Sequence, residues 1–233
     1  MLIKIGIAKV NKDAVFVSGD TVDLTERPRG GISAIIADGQ GSGKAAKRIS
    51  SMLVGKAVSL ILDGVRDGAV ARAVHDFLYY IRGGKVSATL NIISVDLSTR
   101  TIVISRNGHD PVFIKTQQEK RCLDLPSNPI GLQQNMRPVI EEIPLQEGTI
   151  IVTFTDGISS AGKRSNNQIS WEQIWEIIDN NGPGDAQNIA DSILQLAVEL
   201  DKGRPNDDMS VLVLCIDGEG EDKARRLQLS FPC

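Results

Sequence analysis

An α+β fold, built as an antiparallel β-sandwich with helix pairs packed outside it, is what this 233-residue sequence predicts. Three observations carry that reading. Short segments with alternating or continuous apolar character recur through most of the chain. Two pairs of segments instead place apolar residues at three- and four-residue steps. The order is strands, two helices, many strands, two helices, strand, whereas a doubly wound parallel fold would alternate strand and helix evenly.

Residues 2–10 alternate apolar and polar side chains and predict a strand with one buried face. Residues 14–18 form a second, shorter strand candidate. Gly30-Gly31 marks a turn. Residues 32–37, Ile-Ser-Ala-Ile-Ile-Ala, predict a buried strand stopped by Asp38-Gly39. From Lys44 to about Leu62, Ala45, Ile49, Met52, Leu53, Ala57 and Leu60 recur at helical steps, and Gly64 suits a C-terminal cap. A second helix over about residues 69–81 stops at Gly83-Gly84 and pairs with the first through a short loop.

Period two then returns. Residues 88–95, 101–105 and 112–116 predict three successive antiparallel strands, turned at Ser98-Thr99 and Asn107-Gly108. Residues 139–143 and 149–155 add two more around Glu147-Gly148. Residues 171–178 and 185–200 predict the second helix pair, broken at Gly182-Pro183-Gly184, with Trp171 and Trp175 on one core-facing side. Residues 209–216 predict a last buried strand. From Asp217 the chain is charged, with Leu227, Leu229 and Phe231 left to dock. These boundaries predict one domain over residues 1–217 and a tail over 218–233.

Composition narrows the function. Apolar residues make up 41% and support a sizeable core, but aromatics are only 4%, which argues against stacking surfaces for single-stranded nucleic acid. A formal charge of −3 provides no general attraction to nucleic acid or an acidic membrane, so neither is expected as a partner. Cys122, Cys215 and Cys233 are far apart and form no CxxC pair; they read as reduced thiols of a cytoplasmic protein. The N-terminus lacks the pattern of a signal peptide, and no run reaches the roughly 18 apolar residues of a membrane span. The oligomeric state is not legible.

The chemistry concentrates in aspartates that abut apolar strands. Asp38 follows Ile-Ile-Ala and precedes Gly39. Asp156 follows Val-Thr-Phe-Thr and precedes Gly157. Asp207 precedes Asp208-Met209-Ser210 and the run 211–214, and Asp20 follows Ser18-Gly19. Any one Asp-Gly pair is more often a plain turn. If these strand ends converge, however, the carboxylates repel by roughly 4 kcal/mol per pair at about 4 Å and an effective dielectric of 20. Hard divalent cations with a preference for oxygen ligands are the natural remedy. Glycine after Asp38 and after Asp156 would let the backbone turn sharply there and bring its own carbonyl near a metal.

Other features weigh less. Gly39-Gln-Gly-Ser-Gly-Lys44 fails as a P-loop, since Asp38 holds the first glycine position and Ala45 replaces the Ser/Thr. His109 lies in a turn, where a structural role weighs more than general acid chemistry. His75 reads as a surface or packing residue, and Lys44, Lys47 and Arg48 as solvated.

Taken together, Val17-Ser-Gly-Asp20, Ile35-Ile-Ala-Asp38-Gly39-Gln-Gly41-Ser-Gly43, Thr153-Phe-Thr-Asp156-Gly157-Ile-Ser159 and Asn206-Asp207-Asp208-Met209-Ser210 resemble, in order and spacing, the motifs of metal-dependent type-2C protein serine/threonine phosphatases. Asn107-Gly108-His109-Asp110-Pro111 and the loop from Leu125-Pro126 to Gly131-Leu132 are similar to their bacterial SpoIIE/RsbX-type branch. The resemblance covers roughly residues 17–216. It implies a four-layer αββα sandwich of two antiparallel sheets with two Mn²⁺ or Mg²⁺ ions at one edge. It implies that Asp38 bridges both ions, that the Gly39 carbonyl binds one, that Asp156 and Asp207 complete the other, and that Asp20 acts through water or as a weaker ligand. Asp208 would act behind the ligands. It further implies hydrolysis of phosphoserine or phosphothreonine on a STAS-domain stress or sporulation regulator by metal-activated water, in a free-standing RsbX-like enzyme. The alternative is a catalytically silent module of the same fold that recognises such a regulator. No match is found to the phosphate-gripping arginine of many eukaryotic members.

Overall fold

A computed structural model describes residues 1–218 and 224–230. Its elements are β1 (Leu2–Val10), β2 (Asp20–Glu26), β3 (Gly31–Gly39), α1 (Gly43–Leu62), α2 (Asp67–Arg82), β4 (Ala88–Asp96), β5 (Thr101–Asn107), β6 (Val112–Lys115), β7 (Lys120–Leu123), β8 (Val139–Pro144), β9 (Ile150–Phe154), α3 (Asp156–Ser159), α4 (Trp171–Asp179), α5 (Ala186–Leu200) and β10 (Met209–Asp217). Two five-stranded sheets, ordered β1-β10-β9-β6-β7 and β2-β3-β4-β5-β8, pair antiparallel throughout.

The strand period of two builds the four layers. In β3, Ile35 and Ala37 face α1 and α2, where Ile49, Leu53, Ala57, Val74 and Leu78 cover them, while Ala34 and Ile36 face the other sheet. In β10, Val211, Val213 and Cys215 face α4 and α5, and Leu212, Leu214 and Ile216 meet β3, β4 and β5 between the sheets. These strands are buried on both faces, which is why their sequences are almost continuously apolar. Phe113 anchors the helix side, with Trp171 and Trp175 edge-on at 5.7 and 5.1 Å. The expected αββα sandwich is the fold.

Several local expectations are corrected. Residues 14–18 are not a strand but part of a loop in which Ala14 takes a φ of 61°. The strand lies just after, at β2. The strands at residues 88–95, 101–105 and 112–116 do not form one meander: β6 crosses to the other sheet and β8 becomes the neighbour of β5. In α1 the covered face holds Ala46, Ile49, Leu53, Val54, Ala57 and Ile61, while Ala45 is exposed. His75 is buried, and its Nδ1 accepts the Gly131 N–H at 3.0 Å. Leu227 and Leu229 do not dock but are exposed, and Phe231 and Cys233 lie outside the described residues.

The start of α2 is bolted to the sheet by a buried polar network. Asp67 accepts from the Ser94 hydroxyl and from Arg27 Nη1 at 3.2 Å, and Arg27 also donates to Ser33 Oγ at 3.0 Å. Removing one member leaves the others buried without an answer. Arg27→Met is therefore expected to cost roughly 3–5 kcal/mol in denaturant unfolding. A loss below about 1 kcal/mol, the level of an exposed ion pair, would show the network to be solvated.

Candidate metal centre

Segments of both sheets bring carboxylates to one end of the sandwich. β2 opens with Asp20 and β3 nears its end at Asp38, and these two residues are register partners. β9 runs out into the single turn α3, whose first residue is Asp156. Asp207 and Asp208 lead into β10, and the turn between β5 and β6 adds Asp110.

Two glycines allow the approach. A Cβ at Gly157 would lie 2.1 Å from the Asp208 carbonyl oxygen, and one at Gly39 would lie 2.3 Å from the Ala46 carbonyl oxygen of α1. Each glycine thus serves a backbone contact with a neighbouring segment. The sharp turn expected after Asp38 is absent: Gly39 remains in β3, paired with Ala88.

Asp20 stitches the sheets together. It is 1% exposed, and its Oδ2 accepts from Thr155 Oγ1 at 2.8 Å and Ser210 Oγ at 2.7 Å. Its Oδ1 is buried with no hydrogen-bond partner among the described residues. Asp208 spends both oxygens on the loop before β2, accepting from Lys12 N at 2.9 Å and Gly19 N at 2.7 Å. Asp207 is more exposed, accepts from the Asp208 N–H at 2.9 Å, and has Lys12 Nζ at 3.9 Å.

The carboxyls act on one another strongly. Burial, then the nearby carboxyls of Asp20, Asp156 and Asp207, push Asp38 up to about 9. Burial, then Asp110, Asp207 and Asp20, raise Asp156 to about 6. Burial raises Asp20 to about 6 against the opposing pull of Ser210, Thr155 and Lys9. Asp110 is raised by burial, and its Oδ1 takes the Ser159 hydroxyl at 2.5 Å.

Sequence reasoning missed three of these participants. Asp110 sits in the Asn-Gly-His-Asp-Pro turn, where its residue type reads as turn chemistry; His109 beside it is exposed. Lys9 and Lys47 donate to the Asp20 carbonyl at 2.6 and 2.9 Å. Lys47 is thus engaged and not merely solvated, whereas Lys44 and Arg48 are exposed. No local pattern marks a lysine whose partner is on another element.

Asp20, Asp38, Asp156 and Asp207 are therefore one electrostatically coupled group. As the side chains lie, no three His, Cys, Asp or Glu groups among the described residues stand close enough together to hold a metal ion by themselves. The donor set nonetheless fits a hard divalent cation: it is all oxygen, its mutual repulsion calls for positive charge, and Asp20 Oδ1 is left without a partner.

Comparison with known proteins agrees with the architecture. The family model for Stage II sporulation protein E (SpoIIE) matches residues 28–217. Stage II sporulation protein E of Priestia megaterium is 24% identical over 210 residues, covering 89% of this chain and 35% of that protein. The PP2C phosphatase domain of SpoIIE from Bacillus subtilis, solved with a fragment of its regulatory domain, superposes with a TM-score of 0.81 at 22% identity, over 93% of this chain and 64% of that one. RsbX in complex with magnesium superposes with a TM-score of 0.71 at 15% identity, over 92% and 96%. The chain thus spans about a third of the length of the curated relative. No helix among the described residues is long and apolar enough to cross a membrane.

Proposed function

The chain belongs to the SpoIIE family, and from that membership we propose that it is a divalent-metal-dependent protein serine/threonine phosphatase acting in the cytoplasm. The observation that carries the reading is the meeting of Asp20, Asp38, Asp156 and Asp207, from four distant stretches, with the Asp38 carboxyl driven to about 9 by its surroundings. Mn²⁺ or Mg²⁺ is the proposed cofactor, as two ions, and RsbX is a relative in fold that has been solved with magnesium. Asp38, Asp156, Asp207 and the Gly39 carbonyl would hold the ions, with Asp20 at the buried side. When bound, such ions offset the charge of phosphoryl oxygens and lower the pKa of water beside them.

The chain's own residues supply the frame. Thr155 and Ser210 fix the Asp20 carboxylate, and Lys9 and Lys47 hold its backbone. Ser159 orients Asp110 beside Asp156. Lys12, close to Asp207, is a cation on the exposed side where a phosphate would arrive. The proposed substrate is a phosphorylated STAS-domain regulator, on the strength of the SpoIIE and RsbX likeness.

A second reading, a silent module that recognises the same regulator, draws on one observation: no three ligating groups close on a point as they lie. Purified protein assayed with Mn²⁺ on p-nitrophenyl phosphate and on phosphoserine proteins separates the two. The enzyme is expected to turn over both and to gain thermal stability from Mn²⁺. Failure on both substrates with no Mn²⁺-dependent stabilisation would leave the silent module.

A further inference from the structure

The rim beside Asp207 carries the opposite charge to the chain as a whole, whose formal charge is −3. Three segments meet there: residues 11–13 ahead of β2, residues 162–166 after α3, and residues 201–206 ahead of β10. Hydrogen bonds tie them together. Asp201 is buried and accepts from Gly162 N at 2.9 Å, Asn206 N at 2.8 Å and Asn206 Nδ2 at 2.7 Å. Asp13 N donates to the Pro205 carbonyl at 2.9 Å. Arg164 Nη1 donates at 2.6 Å to the side-chain oxygen of Asn206, the residue before Asp207.

These segments present Lys12, Lys163, Arg164, Lys202 and Arg204, the last four exposed and Lys12 half-buried. Against them stands one exposed carboxylate, Asp13, because Asp201 is spent inward on its three donors. Glu199, at the end of α5, accepts from Gln195 at 2.8 Å. Lys12 alone of the five has a carboxylate oxygen within 4 Å among the described residues, that of Asp207 at 3.9 Å. Arg164 is held by a neutral amide, which leaves its charge and its other guanidinium donors open to a carboxylate. Cations gathered on tied segments repel one another and attract an acidic surface. Asp207 and Asp156 border the rim, so a continuous polyanion or a flat acidic membrane laid across it would also press on acid. A folded or extended protein can instead set its carboxylates on the rim and its phosphoserine over the aspartates.

We propose that this basic rim docks an acidic face of the phosphoprotein substrate, with carboxylates next to the phosphoserine pairing with Arg164 and Arg204. This names the partner chemistry for the phosphatase reading and rests on that reading for the place of the phosphoserine.

The test offers the full chain, with Mn²⁺, one phosphoserine peptide core carrying acidic, neutral or basic flanks at equal free metal. Binding is read by fluorescence anisotropy and turnover by phosphate release. The acidic peptide should bind roughly tenfold more tightly than the neutral one at about 50 mM NaCl, and the gap should close at about 500 mM, where screening acts within a few ångströms. Arg164→Glu combined with Arg204→Glu should lose the preference for acidic flanks and gain one for basic flanks. Its turnover of p-nitrophenyl phosphate, which has no flanks, and its Mn²⁺-dependent rise in Tm should hold. If the unaltered protein does not distinguish the flanks, the inference is wrong, and that outcome needs no variant to fold. It is equally wrong if the double variant keeps the preference, or if its p-nitrophenyl phosphate turnover falls as far as that of the acidic peptide. Single-stranded DNA or phosphatidylglycerol vesicles binding as tightly through the same two arginines would overturn it too. Selective binding of the acidic peptide with no turnover of any substrate would uphold the rim and remove the phosphatase reading instead.

Discussion

Asp38→Asn is expected to abolish Mn²⁺-dependent phosphatase activity while making the protein more stable in EDTA. The two effects share one cause. Burial and the acidic neighbours Asp20, Asp156 and Asp207 hold the Asp38 carboxyl at about 9 in the folded protein, against an ordinary value of 3.8. The folded state therefore binds the extra proton between those limits. Its contribution to stability is fully present below about pH 4 and is lost progressively as pH rises towards 9, with a slope of up to about 1.4 kcal/mol per pH unit. Asparagine resembles the protonated form and removes that slope.

In EDTA, the Tm of the unaltered protein should fall from pH 5 to pH 9 more steeply than that of Asp38→Asn. Mn²⁺ should reverse the ranking. Ligands must be deprotonated to bind, so the metal stabilises the unaltered protein increasingly as pH rises, and the variant little. Activity should fall by at least on the order of a hundredfold, beyond what is typical for residues outside the ligand set. A variant that is less stable than the parent in EDTA at pH 8, or that keeps its response to Mn²⁺, would remove Asp38 from the centre of the cluster.

Gly157→Ala is expected to be strongly damaging to both the fold and the site. The added carbon would stand 2.1 Å from the Asp208 carbonyl oxygen and 2.9 Å from its carbon. Both belong to backbone that leads into a central strand, so neither can yield cheaply. The cost should reach about 3 kcal/mol, or roughly 6 °C or more in Tm. The displaced α3 should also separate Asp156 from Asp207 and blunt the Mn²⁺ response. Gly55→Ala is the control. It lies on the exposed side of α1 with nothing within 4 Å of the new carbon, and should stabilise by roughly 0.5–1 kcal/mol. Equal effects at the two glycines would mean that the approach of α3 to β10 does not hold the aspartates together.

Much of the layer structure was legible because burial on both faces leaves a strong trace. β3, β9 and β10 are nearly continuous apolar runs, and their ends announce themselves as Asp-Gly or Asp-Asp. Two of the four edge strands, β2 and β7, were not legible. β2 reads Asp-Thr-Val-Asp-Leu-Thr-Glu and β7 reads Lys-Arg-Cys-Leu, each with only two strongly apolar or sulfur side chains to betray it. An edge strand has a neighbour on one side only, and polar residues there guard against stray pairing. The crossing of β6 to the second sheet was invisible for a related reason: pairing partners are a property of distant segments, while turn signals are local.

The same division runs through the site. Residue order alone determined which aspartates stand at the mouths of buried strands, because hydrophobic periodicity and the breaks in it are written along the chain. Only the tertiary structure decided that these mouths coincide, that Asp110, Lys9 and Lys47 join them, that Gly157 is required by the Asp208 backbone, and that Arg106 is buried. Desolvation and charge coupling depend on distance in space, and residues almost two hundred positions apart, such as Asp20 and Ser210, become neighbours only when two sheets are stacked.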